Sequence, residues 1–284
     1  MRVVLTGAGG QVGRELVQAF DGPSIDLVAL DRAQLDVGDR DAVLTAITGL
    51  EPDEVVHAAA WTEVDACETD TDRALRDNAL ATRHVADGAR RVGARVTYVS
   101  TDHVFDGTKA GPYDEWDGPN PRSVYGRSKR GGELALDPDA TVVRTSWVFG
   151  AHGANMVKTV LRLAARPGEL RFVDDQWGCP TSAADLAGVV RHLVTARLPG
   201  TFHVTNQGPT TWYRFARDIL EVAGHAPGRV VPVGTADLDP PRAASRPANG
   251  VLDNAALRLL GGPTLPDHHE PMARLVEQLH EAVQ

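Results

Sequence analysis

An α/β fold built on a doubly wound parallel sheet is predicted by three features of this 284-residue sequence. Short apolar runs alternate with longer helical patterns through the first half. Those runs are apolar on both faces, as strands covered by helices on either side must be. The first run also leads through clustered glycines straight into a helical pattern, which is how a strand–turn–helix unit of a doubly wound sheet begins.

The elements follow in order. RVVLTG (2–7), IDLVALD (25–31), DEVVHAA (53–59), ARVTYVS (94–100) and TVVRTSW (141–147) read as buried strands, rich in β-branched and other apolar residues. Between them, QVGRELVQAF (11–20), RDAVLTAITGL (40–50), NALATRHVADGARRVG (78–93) and VYGRSKRGGELAL (124–136) read as helices. After residue 147 the rhythm changes. NMVKTVLRLAA (155–165), SAADLAGVVRHLVTA (182–196), TWYRFARDILEVAG (211–224) and PMARLVEQLHEAV (271–283) read as helices, with short strands LRFVDD (170–175), TFHVT (201–205) and RVVPV (229–233) among them. The proline-rich GTADLDPPRAASRPANG (234–250) reads as a loop and not as a linker. The later half is therefore expected to form a smaller mixed α/β cap on the first sheet.

Composition narrows the function. The net charge of −9 and pI near 5.5 argue against a nucleic-acid surface. Cys67 and Cys179 are too few for a disulfide framework or a zinc site. DHHE (267–270) lacks metal-ligand spacing, so no metal is expected. No apolar run reaches the ~18 residues of a membrane span and no leader pattern opens the chain, so a soluble, cytoplasmic protein is expected.

TGAGGQVG (6–13) lies between the first strand and the first helix. Of Gly7, Gly10 and Gly13, one permits the tight turn, one lets backbone approach a pyrophosphate, and one allows close helix–sheet packing. The helix N-terminus then turns free N–H groups to the anion. A dinucleotide, NADPH or NADH, is the expected cofactor. Asp31 ends the second strand, where a carboxylate accepts hydrogen bonds from an adenosine ribose and favours NADH. Arg32 follows at once and can pair with the 2′-phosphate of NADPH. Asp36 is placed either to meet the adenine amino group or to hold a turn. On this basis residues 1–147 are expected to form a dinucleotide-binding Rossmann domain, to which the chain returns near 170–205, and 148–284 a mainly substrate-binding domain.

The reactive end is suggested by SVYGRSK (123–129). The chain has three lysines (Lys109, Lys129, Lys158) against 26 arginines, and one of the three lies one helical turn beyond Tyr125. Lysine is a compact point charge where arginine is a planar fork, so a retained lysine suggests a site needing an ammonium. A tyrosine packed on a lysine stem is the bland alternative. Thr101 and Asp102 fall at the carboxyl end of the fourth strand, where open α/β sheets bind ligands. A hydroxyl there, with Tyr125 and Lys129 on the next helix, makes a carbonyl-reducing set. Tyr125 donates a proton to the carbonyl oxygen, Thr101 holds that oxygen, and Lys129 is expected both to lower the phenol pKa and to serve the nicotinamide ribose. Tyr125 and Lys129 therefore count among the cofactor-binding residues too.

TGAGGQVG, HAAAWTEVDACE (57–68), STDHVFDG (100–107), YGRSK, RTSWVFG (144–150), DDQWGCPT (174–181) and TTWY (210–213) together resemble the extended short-chain dehydrogenase/reductases. More narrowly they are similar to the dTDP-4-dehydrorhamnose reductase family, over nearly the full length. The resemblance implies NAD(P)H-dependent reduction at C4 of a dTDP-linked 4-keto-6-deoxyhexose, with Thr101, Tyr125 and Lys129 at the catalytic positions. It also implies cofactor contacts at Gly10, Gln11, Val12, Asp31, Asp36, Val37, Ala58, Ala60, Trp61 and Thr62, and sugar contacts at Asp102 and Trp147. Asn155 and Arg246 join the sugar-contact candidates through their surroundings, with a surface role as the alternative for each. Monomer and homodimer both stand open.

The departures are His57, where the family usually has asparagine, and His103, where it usually has tyrosine; glycines also follow Arg130 inside a helix. A dehydratase of the same superfamily needs a glutamate after the aspartate, and here His103 follows Asp102. A non-catalytic dinucleotide-binding relative would usually lack part of the catalytic set. A 4-ketoreductase for another sugar, of the antibiotic-pathway or dihydrostreptose type, shares these motifs and stands as the alternative.

Overall fold

The computed structural model describes residues 1–281, so the last two residues of the helix expected over 271–283 lie outside them. The first half runs β1 (Arg2–Thr6), α1 (Gln11–Ala19), β2 (Asp26–Leu30), α2 (Arg40–Leu50), β3 (Glu54–His57), α3 (Val64–Thr69) and α4 (Thr71–Ala74). A π-helical turn (Leu75–Leu80) leads into α5 (Ala81–Val92), followed by β4 (Arg95–Thr101), α6 (Val124–Glu133) and β5 (Thr141–Thr145). The second half runs β6 (Val148–Phe149), α7 (Met156–Ala164), β7 (Leu170–Val173), β8 (Trp177–Gly178), β9 (Thr181–Ser182), α8 (Ala183–Thr195), β10 (Gly200–His203) and β11 (Thr210–Thr211). It ends with α9 (Trp212–Val222), β12 (Val230–Val233), α10 (Ala255–Leu259) and α11 (His269–Glu281).

Six strands form the central sheet in the order β10-β5-β4-β3-β1-β2, all parallel. The chain starts at β1, moves outward to β2, then crosses back to β3. The carboxyl ends of β1 and β3 therefore flank a topological switch point, where such sheets bind ligands. Successive side chains of β1 serve opposite cores: Val3 and Leu5 pack with Leu16 of α1 and Leu186 and Val190 of α8, while Val4 packs with Val43, Ile47 and Val85 of α2 and α5. A Rossmann-type sheet covered on both faces is the result.

A separate apolar cluster fills the cap, with Phe149, Val157, Val160, Phe215, Ile219, Met272 and Val276 at its centre. Of the later strands, β10 pairs with β5 in the main sheet, whereas β7 pairs with β12 in a two-stranded sheet. Ser123 opens α6 by accepting the Gly126 N–H at 3.0 Å. The glycines that weaken α6 by propensity have a packing reason. A Cβ at Gly132 would lie 2.5 Å from the Tyr98 hydroxyl, so the bare backbone lets α6 lie close on β4.

Candidate active site

The turn between β1 and α1 is shaped by two glycines. Gly7 has φ 78°, and a Cβ there would stand 2.6 Å from the Ala59 nitrogen. A Cβ at Gly13 would stand 2.0 Å from the Gly7 carbonyl oxygen, so α1 can pack this closely only with glycine there. No side chain caps α1 at Gly10, which leaves its first N–H groups facing outward for an anion. The bare cradle and the open helix end fit a pyrophosphate.

Beside this turn lies a cleft of about 420 Å³. Gly7, Gly10, Asp31, Arg32, Asp36 and Val37 line it from one side and Ala58, Ala60 and Trp61 from the other. Asp31 Oδ1 accepts the N–H groups of Ala33 and Gln34 at 2.9 and 3.1 Å, which fixes its carboxylate at the end of β2. Asp36 Oδ1 accepts the Gly38 N–H at 3.0 Å, so this residue both holds a turn and lines the cleft. Asn78, buried in the π-helical turn, grips the backbone of Trp61. Its Oδ1 accepts the Trp61 N–H at 2.8 Å, and its Nδ2 donates to the Trp61 carbonyl at 3.1 Å and to Ser128 Oγ at 2.9 Å. The Arg73 guanidinium covers the indole at 4.1 Å.

A second cavity of about 430 Å³ shares Gly10, Ala58 and Ala60 with the cleft, so the two are continuous. Gln11, Val12, Gly13 and Thr62 line it toward the cleft, and Thr101, Asp102, Tyr125, Lys129 and Trp147 line its far end. Asn155 does not line it. Its side chain caps α7 and donates to the Gly150 carbonyl at 2.8 Å and to Gln11 Oε1 at 3.2 Å, while Gln11 Nε2 donates to the Val148 carbonyl at 2.9 Å.

Thr101 Oγ1 donates to Asp102 Oδ1 at 2.9 Å. Burial pushes the Asp102 carboxyl up to about 7, against the bonds it accepts from Thr101 and the backbone. Burial also raises the Tyr125 phenol above its ordinary value; a hydrogen bond with Thr101 opposes this, and the negative charges at Asp102 and Cys67 add to it. The ammonium of Lys129 donates to the Val99 carbonyl at 2.7 Å and stands 4.1 Å over the Tyr98 ring. Burial lowers its pKa to about 7, with Glu133 pulling the other way. The phenol is thus dominated by desolvation, and the depression expected from Lys129 is not seen, because that ammonium is turned to the Val99 carbonyl and the Tyr98 ring.

Glu133 was not read from the sequence, and of His57 and His103 only the departure in residue type was. Glu133, one turn beyond Lys129, accepts from Ser100 at 2.6 Å, from Arg130 at 2.7 Å and from two nitrogens of Arg144 at 3.0 and 2.9 Å. Its place at i+4 from Lys129 was the available signal. His57 hydrogen-bonds Thr6 Oγ1 through Nδ1 at 2.6 Å and stacks on Tyr98, with its pKa lowered to about 3 by burial and then by Lys129. His103 meets the Tyr125 ring edge to face at 5.4 Å and leaves Nδ1 buried without a partner; burial and then Arg246 lower its pKa to about 4.

Away from this site, His268 and His269 meet Asp218 of α9, with one potential ligand atom from each within 4.8 Å of the others. Linear spacing could not show Asp218. Both nitrogens of His269 already bond carboxylates, at 3.1 Å to Asp218 and 2.6 Å to Asp267. No helix among the described residues is long and apolar enough to cross a membrane.

Residues 1–281 match the family model of the RmlD substrate binding domain. A dTDP-4-dehydrorhamnose reductase of Burkholderia thailandensis is 39% identical over 98% of this chain and 99% of its own. A probable dTDP-4,6-dihydroxy-2-methyloxan-3-one 4-ketoreductase of Streptomyces antibioticus is 41% identical over 94% of this chain and 92% of its own. The crystal structure of a dTDP-4-dehydrorhamnose reductase from Bacillus anthracis in complex with NADP superposes with a TM-score of 0.92 at 36% identity, covering 98% of this chain and 99% of that one. With its sheet, its glycine turn and these full-length matches, the chain belongs to the RmlD substrate binding domain family, that of the dTDP-4-dehydrorhamnose reductases.

Proposed function

We propose that the chain reduces the C4 ketone of a dTDP-linked 4-keto-6-deoxyhexose with NAD(P)H, taking dTDP-4-dehydro-L-rhamnose to dTDP-L-rhamnose. The observation that carries this reading is that Thr101, Tyr125 and Lys129 share one cavity, itself continuous with a cleft suited to a dinucleotide. When bound, the nicotinamide nucleotide supplies a hydride to the carbonyl carbon. Tyr125 gives its proton to the carbonyl oxygen, and its raised pKa keeps that proton in place until the oxygen develops charge. Thr101 has a single hydroxyl proton, which Asp102 accepts in this structure. To hold the ketone oxygen, the hydroxyl turns that proton to it and accepts one from the protonated Asp102 carboxyl, whose pKa burial raises. Lys129 presents a desolvated ammonium, and an anion entering the cleft favours its charged form. Asp31 and Arg32 together support use of both cofactors, and the NADP complex of the Bacillus anthracis relative supports a bias to NADPH. In the same reading the enzyme is cytoplasmic, with residues 1–147 mainly holding the cofactor and 148–284 mainly the sugar.

The test is to incubate the protein with dTDP-4-keto-6-deoxyglucose, with and without a 3,5-epimerase, and to follow NAD(P)H absorbance and product identity. Epimerase-dependent turnover to dTDP-L-rhamnose supports the reading. Turnover that does not need the epimerase overturns the rhamnose assignment, and no turnover overturns the activity.

A second reading is a 4-ketoreductase for a different dTDP-linked sugar. His103 favours it, because an imidazole nitrogen without a protein partner stands at the cavity where relatives usually carry a tyrosine. The Streptomyces antibioticus relative supports the same reading.

A further inference from the structure

Trp147 reaches the cavity from the point where β5 hands over to β6, and its backbone has φ 47°. Among the described residues, the other non-glycine positions with positive φ are Glu51 and Arg197, which follow the ends of α2 and α8. A bulky residue in the left-handed region persists only where its surroundings over-determine it.

A two-stranded ribbon from the later half of the chain does this. β8 and β11 pair antiparallel, with Thr210 opposite Gly178 and Thr211 opposite Trp177. β11 runs directly into α9, and Thr211 caps that helix by accepting the Arg214 N–H at 3.3 Å. The first residue of α9, Trp212, lays its indole flat on that of Trp147, with ring centroids 3.5 Å apart and planes 8° from parallel. On the other strand, a Cβ at Gly178 would lie 2.4 Å from Cε2 of Trp147 and 2.7 Å from its Nε1, so the indole rests on bare backbone. The Trp147 carbonyl accepts the Thr181 N–H at 3.2 Å and completes the hold.

We infer that this ribbon is a clamp that sets one wall of the sugar pocket, with Gly178 and Trp212 as positioning residues through which Trp147 discriminates among keto-sugars. This rests on the proposed function, which makes the cavity a sugar site. Neither Gly178 nor Trp212 lines the cavity, and the nucleotide cleft lies at its other end. Disturbing the clamp should therefore change sugar recognition and leave cofactor binding alone.

Three variants test it. Trp212→Ala removes the stacked face, Gly178→Ala pushes the indole from its seat, and Trp212→Phe keeps an aromatic face. The first two should raise KM for the keto-sugar roughly tenfold, the effect of losing one aromatic contact, with kcat and NADPH affinity near wild type. Trp212→Phe should restore KM. Trp212→Ala should also abolish the far-ultraviolet exciton couplet of the paired indoles. Loss of the couplet with a wild-type KM would overturn the clamp, as would a folded Gly178→Ala enzyme with wild-type KM. Should Gly178→Ala not fold, Trp212→Ala decides alone, since Trp212 is half-buried. Failure of the proposed function looks different: the wild-type protein would reduce no dTDP-linked ketone at all.

Discussion

Replacing Asp102 with asparagine should make the protein more heat-stable as pH rises, and the size of the effect follows from burial. The carboxyl is 3% exposed, and its pKa rises from 3.8 to about 7 in the folded chain. Between those values the folded protein binds a proton that the unfolded chain has released. Stability contributed by the protonated carboxyl is therefore fully present below about pH 4 and is lost as pH rises through 7. Three units at about 1.4 kcal/mol each give on the order of 4 kcal/mol. Relaxation and water entry around a buried charge leave about 2 kcal/mol of that. In a chain this size the thermal midpoint moves about 2–4 °C per kcal/mol, or roughly 4–8 °C in all. Asparagine does not titrate, and any constant loss from altered hydrogen bonds to Thr101 or the backbone cancels in the pH dependence. The assay is the difference in Tm, variant minus wild type, measured from pH 4.5 to pH 8. It should grow with pH. A difference flat across that range would falsify the claim that Asp102 ionises against its surroundings.

Tyr125→Phe should leave NADPH affinity unchanged and lower turnover by ~10²-fold or more in steady-state assays, and a fully active variant removes Tyr125 as the acid. Gly13→Ala should abolish dinucleotide binding measured by calorimetry, because the new Cβ would meet the Gly7 oxygen at 2.0 Å; wild-type affinity would show that the turn can open. Asp31→Ala should weaken NADH more than NADPH, and equal losses for both would mean that Asp31 does not read the ribose. Lys129→Arg should weaken NADPH binding at least ~10-fold, because a planar fork cannot occupy the ammonium's place. Overpacking that buried position should also lower stability by about 1–3 kcal/mol. Full activity with an unchanged pH–rate profile would make the lysine's survival among 26 arginines accidental.

Most of the sheet was legible because parallel strands bury both faces, and runs such as RVVLTG leave few other choices. The run 170–175 read equally well as a strand, but pattern alone does not name a partner, and β7 pairs with β12 outside the main sheet. α3 and α4 went unread because the segment from Val64 to Ala74 is crowded with acids and threonines and shows no clear apolar stripe. The glycine turn and the Tyr125/Lys129 pair stood out in the sequence by residue type and spacing, and the structure brings Gly10, Gly13, Tyr125 and Lys129 to one cavity. Trp147 was visible only as a tryptophan. Its backbone conformation, and the distant Gly178 and Trp212 that hold it, exist only once the later chain is folded. The expected depression of the Tyr125 pKa rested on helical spacing, which brings Lys129 to the same face but does not orient its ammonium.

The π-helical turn at Leu75–Leu80 has a genetic consequence. Such a turn holds one residue more than an α-helix spanning the same ends, and each residue rotates the helix by about 100°. A single-codon deletion at Ala79 would let the ladder close as ordinary α-helix without moving Val85 or Ala89 out of the core. The phase error would fall instead on the preceding turn, carrying the Asn78 amide away from both the Trp61 backbone and Ser128. The fold would tolerate the shorter helix, and the cleft would lose its grip on one wall. In this stretch, the length of the gene is as much a part of the proposed nucleotide site as the identity of its side chains.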